Sequence, residues 1–279
     1  MQPIVVKLGG SAGIDHNRTL DDLAQLWPDR NVIFIHGANA ELDEFIRAQG
    51  REPQFVTSSK GQVSRFTDEQ AMDDMLAVYT GKVNKRLVEG LQKRGVNAVG
   101  ISALDGGIAR GKRQSAIRIV EDGKSRMLRG DFAGSIRAID TTLLDTLLNA
   151  GFMPVLTPPA ISEDGEAINV DGDKLALQVA ITVQAEALVL LSNTAGLLAD
   201  VDDPSSLIAQ VKVGDPESVE AATNAAVGRM KKKVESGLKA VEAGIQTVIF
   251  ADARIENPIS QALAGQGTAL VSSPVTVTN

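Results

Sequence analysis

Residues 4–11, Ile-Val-Val-Lys-Leu-Gly-Gly-Ser, decide the fold expected of this chain. A strand-like run leads directly into glycines there, and the pattern recurs at residues 32–39, Val-Ile-Phe-Ile-His-Gly-Ala-Asn. A helical pattern follows each segment, which predicts an α/β protein with a mostly parallel sheet. Ligands bind at the carboxyl ends of such strands, where glycines let backbone N–H groups approach phosphate oxygens. The two junctions together therefore predict a phosphate site, although either one alone could be an ordinary strand–helix turn.

The alternation of short β-branched runs and helical patterns continues along the chain. Helices are expected over residues 20–27, 42–49, 67–94, 143–150, 174–184, 229–243 and 259–264, and strands over 97–101, 154–156, 187–191, 247–250 and 268–271. Residues 108–139 instead show strand-like alternation with turns at Glu121-Asp122-Gly123-Lys124 and Arg129-Gly130-Asp131. Asp-Gly between alternating apolar residues is a strong hairpin signal, so this segment predicts a β-hairpin excursion from the α/β core.

The composition excludes several classes of protein. The 279 residues include 28 Lys plus Arg against 35 Asp plus Glu, a formal charge of −7, with no cysteine and two histidines. Without cysteine there is no disulfide scaffold, thiol nucleophile or iron–sulfur cluster, and we assign no metal-ligating residues. The acidic balance argues against general nucleic-acid binding. No apolar run approaches the ~18 residues that span a bilayer, and the N-terminus has no signal-peptide layout, so a cytoplasmic protein without a membrane partner is expected.

Two familiar nucleotide-binding motifs are not supported. Gly106 to Lys112 imitates a P-loop, but Arg113 stands where a Ser or Thr should bind magnesium. No G-x-G-x-x-G follows a strand, so a nicotinamide or flavin Rossmann site is also unsupported. The phosphate site must be of another kind.

Three later stretches add charged and polar groups. Residues 169–173, Asn-Val-Asp-Gly-Asp, precede a helix, where Asp173 could act on a ligand or cap the helix. Residues 228–233, Gly-Arg-Met-Lys-Lys-Lys, place cations at a helix N-terminus, where a nucleotide phosphate would compensate them; a solvated charge run is the alternative. Residues 65–68, Arg-Phe-Thr-Asp, offer an arginine suited to a carboxylate, unless it is a surface residue, with Thr67 as a plausible N-cap.

Taken in order, these motifs resemble the amino-acid kinase family, and within it the N-acetylglutamate kinase branch, over essentially the whole chain. The family motifs match at Lys7, Gly9 and Gly10 (K-x-G-G), at 65–68 (R-x-T-D), at Asn169 and Asp173 (N-x-N-x-D) and at Gly228, Met230 and Lys233 (G-G-M-x-x-K). The L-S-D-V-x-G-L segment appears at 191–197 as Leu-Ser-Asn-Thr-Ala-Gly-Leu. The H-G-G-G loop appears as His36-Gly37-Ala38-Asn39, which keeps only its first glycine. The resemblance implies a three-layer αβα sandwich around a mainly parallel open sheet, with the excursion at about 108–139 added to it.

Several segments are more specifically similar to the kinases that act on amino acids carried by LysW, a small acidic carrier protein. These segments are residues 64–68, 81–85, 95–106, 169–173 and 228–233. The resemblance implies ATP-dependent phosphorylation of the side-chain carboxylate of carrier-linked 2-aminoadipate in lysine biosynthesis, or of glutamate in arginine biosynthesis. An N-acetylglutamate kinase acting on free acetylglutamate is the alternative, and a non-catalytic amino-acid or nucleotide sensor of the same fold is a further one.

The resemblance also implies the roles of individual residues. Lys7 and Lys233 would stabilise the transferring phosphoryl group from two sides, with Asp173 holding both lysines by ion pairing. Mg²⁺ would bridge the nucleotide phosphates with few protein ligands. The expected substrate-binding residues are Gly37, Ala38, Arg65 and Asn169. The expected nucleotide-binding residues are Gly9, Gly10, Ser11, Ser192, Asn193, Gly196, Leu197 and Met230.

The hairpin excursion carries a charge opposite to that of the whole chain. Residues 110–137 contain eight Lys or Arg against three Asp or Glu. Such a patch could steer an acidic carrier protein, a solvated hairpin being the alternative. The expected carrier-docking residues are Lys112, Arg113, Arg118, Lys124 and Arg126.

The resemblance also suggests how the chain is organised. Residues 1–168 are expected to form an N-terminal lobe that binds the amino acid and its carrier, and residues 169–279 a C-terminal lobe that binds the nucleotide. Only three residues precede the first strand, whereas arginine-inhibited hexameric relatives use an N-terminal helix. We therefore expect a homodimer.

Overall fold

The structure is a computed structural model that describes residues 2–58, 61, 63–114, 116–121 and 124–272. Its strands are β1 (Ile4–Leu8), β2 (Val32–His36), β3 (Phe55–Thr57), β4 (Val63–Arg65), β5 (Ala98–Ser102), β6 (Ala109–Arg113), β7 (Ala116–Glu121), β8 (Lys124–Arg129), β9 (Gly134–Ile139), β10 (Met153–Thr157), β11 (Ala160–Ser162), β12 (Ala167–Ile168), β13 (Ala187–Ser192), β14 (Gln210–Val213), β15 (Thr247–Asp252) and β16 (Thr268–Ser272). Within the described residues, eight of them form the central sheet in the order β14-β16-β15-β13-β1-β2-β10-β5. The strands from β15 to β5 are parallel and only β16 and β14 run the other way, which confirms the predicted mainly parallel sheet.

Helices cover both faces of this sheet. They are α1 (His16–Leu26), α2 (Asn39–Ala48), α3 (Glu69–Met75), α4 (Asn84–Gln92), α5 (Thr142–Asn149), α6 (Gly172–Thr182), α7 (Pro216–Ala225), α8 (Gly228–Glu242) and α9 (Pro258–Leu263), with a π-helix (Leu76–Val83) joining α3 to α4. One apolar cluster unites one sheet face with α1 to α4, the π-helix and α9, and the other unites the opposite face with α5 to α8. The predicted αβα sandwich is confirmed.

Strand β1 shows how the sequence produces the two clusters. All five of its residues are buried, as expected of a parallel strand covered on both faces. Side chains alternate along a strand, so Val5 joins the α5–α8 side while Ile4, Val6 and Leu8 join the other. By the same alternation Lys7 shares the face of Val5, where α6 packs on β1.

The predicted excursion is confirmed and is larger than a single hairpin. Strands β6 and β9 pair antiparallel and join β11 and β12 in a second sheet of order β12-β11-β6-β9. Between them, β7 and β8 form a separate hairpin, whose predicted turn at Asp122-Gly123 lies outside the described residues. A bridge between Ser58 and Ile119 connects this hairpin to the β3–β4 hairpin, which the sequence analysis missed because each of its strands has only three residues.

Other differences from the expected elements have local causes. The helical pattern over residues 67–94 is divided by the π-helix, where the hydrogen-bond spacing widens before α4 begins. Helix α7 was not predicted, although Asp215 accepts a hydrogen bond from Glu217 N and Pro216 occupies the first turn. That pair of residues is a standard helix-start signal.

The two glycine junctions lie in direct backbone contact. Gly37 N donates to Leu8 O at 3.0 Å, and Ala40 N donates to Gly10 O at 2.9 Å. A Cβ atom built on Gly10 would lie 2.4 Å from Ala38 N and 2.6 Å from Asn39 N. Only glycine fits at position 10, because the atoms in the way belong to the backbone.

We expect Gly10→Ala to lower the free energy of unfolding by about 2 kcal/mol, since overpacking against backbone forces a local shift. Gly81→Ala is the control, because a Cβ there meets no atom within 4 Å and alanine favours the helix by about 0.5–1 kcal/mol. Urea unfolding of both variants measures the difference. Equal stability of the two variants would contradict the close contact.

Candidate active site

Three neighbouring strands deliver their loops to one edge of the sheet. Strands β13, β1 and β2 are adjacent and parallel, and they end at Ser192, Leu8 and His36. Gly9 N donates to Leu191 O of β13 at 2.9 Å. The first glycine loop is therefore bonded to the end of β13 on one side and to the second glycine loop on the other. The predicted residues that follow these strands therefore meet at one carboxyl edge, where open α/β sheets bind ligands.

An ion pair between Lys7 and Asp173 stands at this edge. Lys7 Nζ lies 2.6 Å from Asp173 Oδ1, and the two side chains are 11% and 26% exposed. The alternative role of Asp173 as the helix cap is excluded, because Asp171 caps α6 by accepting from the N–H groups of Asp173 and Lys174 at 2.9 and 3.0 Å. The Asp173 carboxylate pairs with the lysine instead.

Lys233 lies on the neighbouring helix. It is half-buried on α8, and α8 packs against α6, which carries Asp173. Within the described part of the chain, the α8 N-terminus has neither a side-chain cap nor an acidic residue in its first turn. Its N–H groups and its lysines together suit an anion, as the sequence analysis expects. The convergence of Lys233 and Lys7 on one group stays a prediction.

His36 is a fully buried, neutral support of the second glycine loop. Its Nδ1 lies 3.3 Å from Gly37 O, and its Nε2 lies 3.1 Å from Asn84 Nδ2, which also donates to Val155 O. Asn84 Nδ2 is a donor, so Nε2 must accept and Nδ1 must carry the proton. Burial lowers the pKa of His36 to about 3, because the site penalises the imidazolium.

This buried imidazole makes stability depend on pH. The unfolded chain binds a proton on this imidazole near pH 6.5, whereas the folded chain does not. The free energy of unfolding is therefore highest above pH 6.5 and falls below it by about 1.4 kcal/mol per pH unit. In the variant His16→Gln the one remaining imidazole NMR signal belongs to His36, and we expect it not to move between pH 7 and pH 4.5. A signal that titrates in that range would contradict a neutral His36.

Arg65 is held by two contacts. Its Nη2 pairs with Asp43 on α2, and its guanidinium carbon lies 5.0 Å from the centre of the Phe55 ring on β3. The side chain is 8% exposed, and Nη1 is a buried nitrogen with no hydrogen-bond partner within the described residues. A guanidinium fixed on one side and unsatisfied on the other suits a carboxylate ligand. Asp43 was missed by the sequence analysis, because nothing near it in sequence marks it.

Asn169 connects the loop before α3 to the segment just before β9. Its Nδ2 donates to Thr67 Oγ1 at 2.9 Å, and its backbone N donates to Phe132 O at 2.9 Å. Thr67 is fully buried, so the prediction that it caps α3 is wrong: Asp68 is the cap and accepts from Ala71 N at 2.8 Å. Thr67 N instead donates to Asp131 Oδ1, and burial raises the pKa of the Asp131 carboxyl.

The loop after β13 has an exposed part and a buried part. Ser192 Oγ lies 3.1 Å from Thr194 Oγ1, and Asn193 is exposed. Gly196 adopts φ +149°, and Leu197 packs in the core while its N–H donates to Thr268 Oγ1 at 2.8 Å. Both the side chain and the N–H of Leu197 are thus occupied within the protein. We therefore remove it from the ligand contacts expected from sequence.

The predicted docking residues divide into two kinds. Arg113 is bound internally, because its guanidinium donates to Glu166 and Asp131 O and lies 3.4 Å from the Phe132 ring centre. We remove it from the docking set for that reason. Lys112, Arg118 and Arg126 are exposed, and the side chain of Lys124 lies outside the described part of the chain.

Comparison with known proteins identifies the family. The model of the amino acid kinase family matches residues 2–251. The chain belongs to the amino acid kinase family. This kinase is 47% identical over 269 residues to a LysW-aminoadipate kinase of Thermus thermophilus, covering 95% of this chain and 98% of that protein. It is 50% identical over 266 residues to a LysW-aminoadipate kinase of Deinococcus radiodurans, covering 95% and 90%.

A solved structure agrees with the family fold. The N-acetylglutamate synthase of Neisseria gonorrhoeae, in complex with coenzyme A and N-acetylglutamate, matches with a TM-score of 0.78 at 25% identity. The match covers 98% of this kinase and 60% of that chain. No helix in the described ranges of this kinase has the length and apolarity to cross a membrane.

Proposed function

We propose that this kinase transfers the γ-phosphoryl group of ATP to the side-chain carboxylate of 2-aminoadipate carried by LysW, giving an acyl phosphate and ADP. The observation that supports this most directly is the Lys7–Asp173 ion pair beside the two glycine loops. The relatives that share about half of its residues over nearly the whole chain supply the substrate class.

The chemistry requires charge neutralisation more than it requires a base. A carboxylic acid with a pKa of about 4.3 is already ionised near neutral pH, so the acceptor has no proton to lose. Phosphoryl transfer then depends on holding two anions together and on stabilising charge on the equatorial oxygens. In the proposal Lys7 and Lys233 supply that stabilisation, and Asp173 orients Lys7.

Magnesium enters this proposal as part of the nucleotide substrate. The described residues contain no group of three Asp, Glu or His that could hold a metal ion by themselves. Mg²⁺ keeps several waters and is bound largely by phosphate oxygens in such sites, so few protein ligands are needed.

The two lobes expected from sequence divide the ligands between them. Residues 1–168 would bind the amino acid through Gly37, Ala38, Arg65 and Asn169. The nucleotide contacts would comprise Gly9, Gly10, Ser11, Ser192, Asn193, Gly196 and Met230, mostly from residues 169–279. The proposed boundary separates adjacent strands β1 and β13 of one continuous sheet. The acceptor and the donor would then meet above that pair of strands.

We expect Lys7→Met to reduce kcat by at least about 100-fold, because it removes a charge aimed at the transferring group. Asp173→Asn should reduce kcat by roughly 10-fold or more through misorientation of Lys7. Lys174→Met is the matched control, since Lys174 is an exposed lysine on α6, the helix that carries Asp173. Hydroxylamine trapping of the acyl phosphate measures turnover on carrier-linked aminoadipate.

The same assay distinguishes the possible substrates. Carrier-linked glutamate and free acetylglutamate are compared with carrier-linked aminoadipate at equal concentration. Faster turnover of acetylglutamate would replace this proposal with an acetylglutamate kinase. Normal turnover in both Lys7→Met and Asp173→Asn would contradict the assigned chemistry.

The solvent face of the β7–β8 hairpin is the surface best suited to the carrier. Arg118 is paired opposite Met127, and Arg129 lies on the same face two residues further along β8. All three are exposed, whereas Ile119 on the opposite face is buried. Two cations around an exposed apolar side chain complement an acidic protein surface, so Arg129 joins Arg118 as a docking residue of this face. Arg126, expected from sequence as a docking residue, is paired opposite Ile119 and lies on the other face.

We expect the double variant Arg118→Glu/Arg129→Glu to raise the KM for the carrier-linked substrate at least 10-fold at low salt and to leave the KM for ATP unchanged. The difference from wild type should shrink as salt screens the charges. Lys93→Glu/Lys212→Glu reverses two exposed lysines on other elements and is the control. An equal effect in both double variants would show a general charge effect and not a docking surface.

The expected homodimer and cytoplasmic location remain part of the proposal. The homodimer is expected from the resemblance to amino-acid kinases, and the location from the sequence pattern.

A further inference from the structure

The second glycine loop lacks two glycines, yet its backbone shows no sign of needing them. Ala38 precedes the first residue of α2 and has φ −152°, a value that any residue adopts. Its methyl group is fully buried in the same apolar cluster as Tyr79. Asn39 begins α2 with helical geometry. The φ angle of Ala38 does not demand glycine, and the side chains of Ala38 and Asn39 make contacts that glycine could not make.

Tyr79 contacts this loop from the π-helix. It is the only tyrosine of the chain, it lies on the π-helix, and it is 4% exposed. Its hydroxyl donates to Asn39 Oδ1 at 3.0 Å, and the backbone of Ala38 lies against the hydroxyl oxygen. One buried hydroxyl thus touches both residues that stand where the family has glycine.

The π-helix makes this contact possible. Asn84, the first residue of α4 after the π-helix, bonds to His36 at the other end of the same loop. Tyr79 on the π-helix and Asn84 at the start of α4 therefore contact the two ends of residues 36–39. Such widened turns are frequent at functional sites because they redirect side chains that an α-helix would place elsewhere.

We propose that Tyr79 is a positioning residue of the second glycine loop, and that the Asn39–Tyr79 hydrogen bond replaces the missing glycines in fixing Ala38 and Asn39 against Gly10. This rests on the proposed function for its kinetic consequence, because Gly37 and Ala38 are proposed contacts of the amino-acid substrate. Loss of the hydroxyl leaves Asn39 Oδ1 without its donor and lets the loop shift relative to the phosphate-binding glycines.

The kinetic test compares Tyr79→Phe with Thr80→Val. Both variants remove one hydroxyl from the π-helix, but among the described residues Thr80 Oγ1 bonds only to Leu76 O of its own helix. We expect Tyr79→Phe to raise the KM for carrier-linked aminoadipate about 10-fold, with the KM for ATP changed less than twofold, and Thr80→Val to leave both unchanged. Equal kinetics of the two variants would overturn the proposal.

A double-mutant cycle separates positioning from general destabilisation. Asn39→Gly restores a glycine of the family loop and removes the acceptor of the Tyr79 hydroxyl. If the pair acts as one unit, Tyr79→Phe/Asn39→Gly should raise the KM no more than either single change. Multiplying effects in the double variant would show two independent roles and would contradict the proposal.

A spectroscopic measurement tests the contact without turnover. Burial raises the pKa of Tyr79 to about 12, and as the only tyrosine it alone produces phenolate absorbance at 295 nm. The Asn39 acceptor favours the protonated hydroxyl, so its loss should lower the Tyr79 pKa, and at pH 10.5 Asn39→Gly should show more phenolate than the wild type and Thr80→Val. Phenolate equal in all three would show that Asn39 does not stabilise the hydroxyl and would contradict the proposal. A wild-type protein inactive on the carrier-linked substrate would refute the proposed function but leave this measurement to decide the contact.

Discussion

The backbone contact between the two glycine loops is the constraint on which the candidate site depends. Gly10 faces Ala38 N and Asn39 N at distances that exclude a side chain, while hydrogen bonds tie each loop to the end of the neighbouring strand. This contact brings the backbone amides of the two loops together at the sheet edge. The parallel direction of β13, β1 and β2 makes the gathering possible, because all three strands end at the same side.

A buried lysine next to that patch needs its carboxylate. Removing an ammonium from water is unfavourable unless an opposite charge and good hydrogen bonds offset the desolvation. Asp173 provides the opposite charge at 2.6 Å, while Asp171 caps the helix. The same partial exclusion of water would strengthen the field of Lys7 on a phosphate group bound there, as the proposed function requires.

Hydrogen bonds connect the segment between β8 and β9 to the candidate site. Thr67 bonds to both Asp131 and Asn169, and the Arg113 guanidinium packs on Phe132 between them. The β7–β8 hairpin extends from this fastened segment and touches β3 through the Ser58–Ile119 bridge. The hairpin is thereby connected through β3 to β4, the strand that ends at Arg65.

The sequence by itself determined the alternation of strands and helices, the loops after β1 and β2, and the basic excursion, since each depends on local periodicity, glycines and charge. It also brought Lys7 and Asp173 to attention through motifs. Only the tertiary structure decided that Asp171 caps α6, that Arg113 is bound internally, and that Asp43 and Tyr79 contact Arg65 and Asn39. Those outcomes depend on which distant side chains share a buried volume, and local periodicity carries no information about pairs separated by 22 or 40 residues.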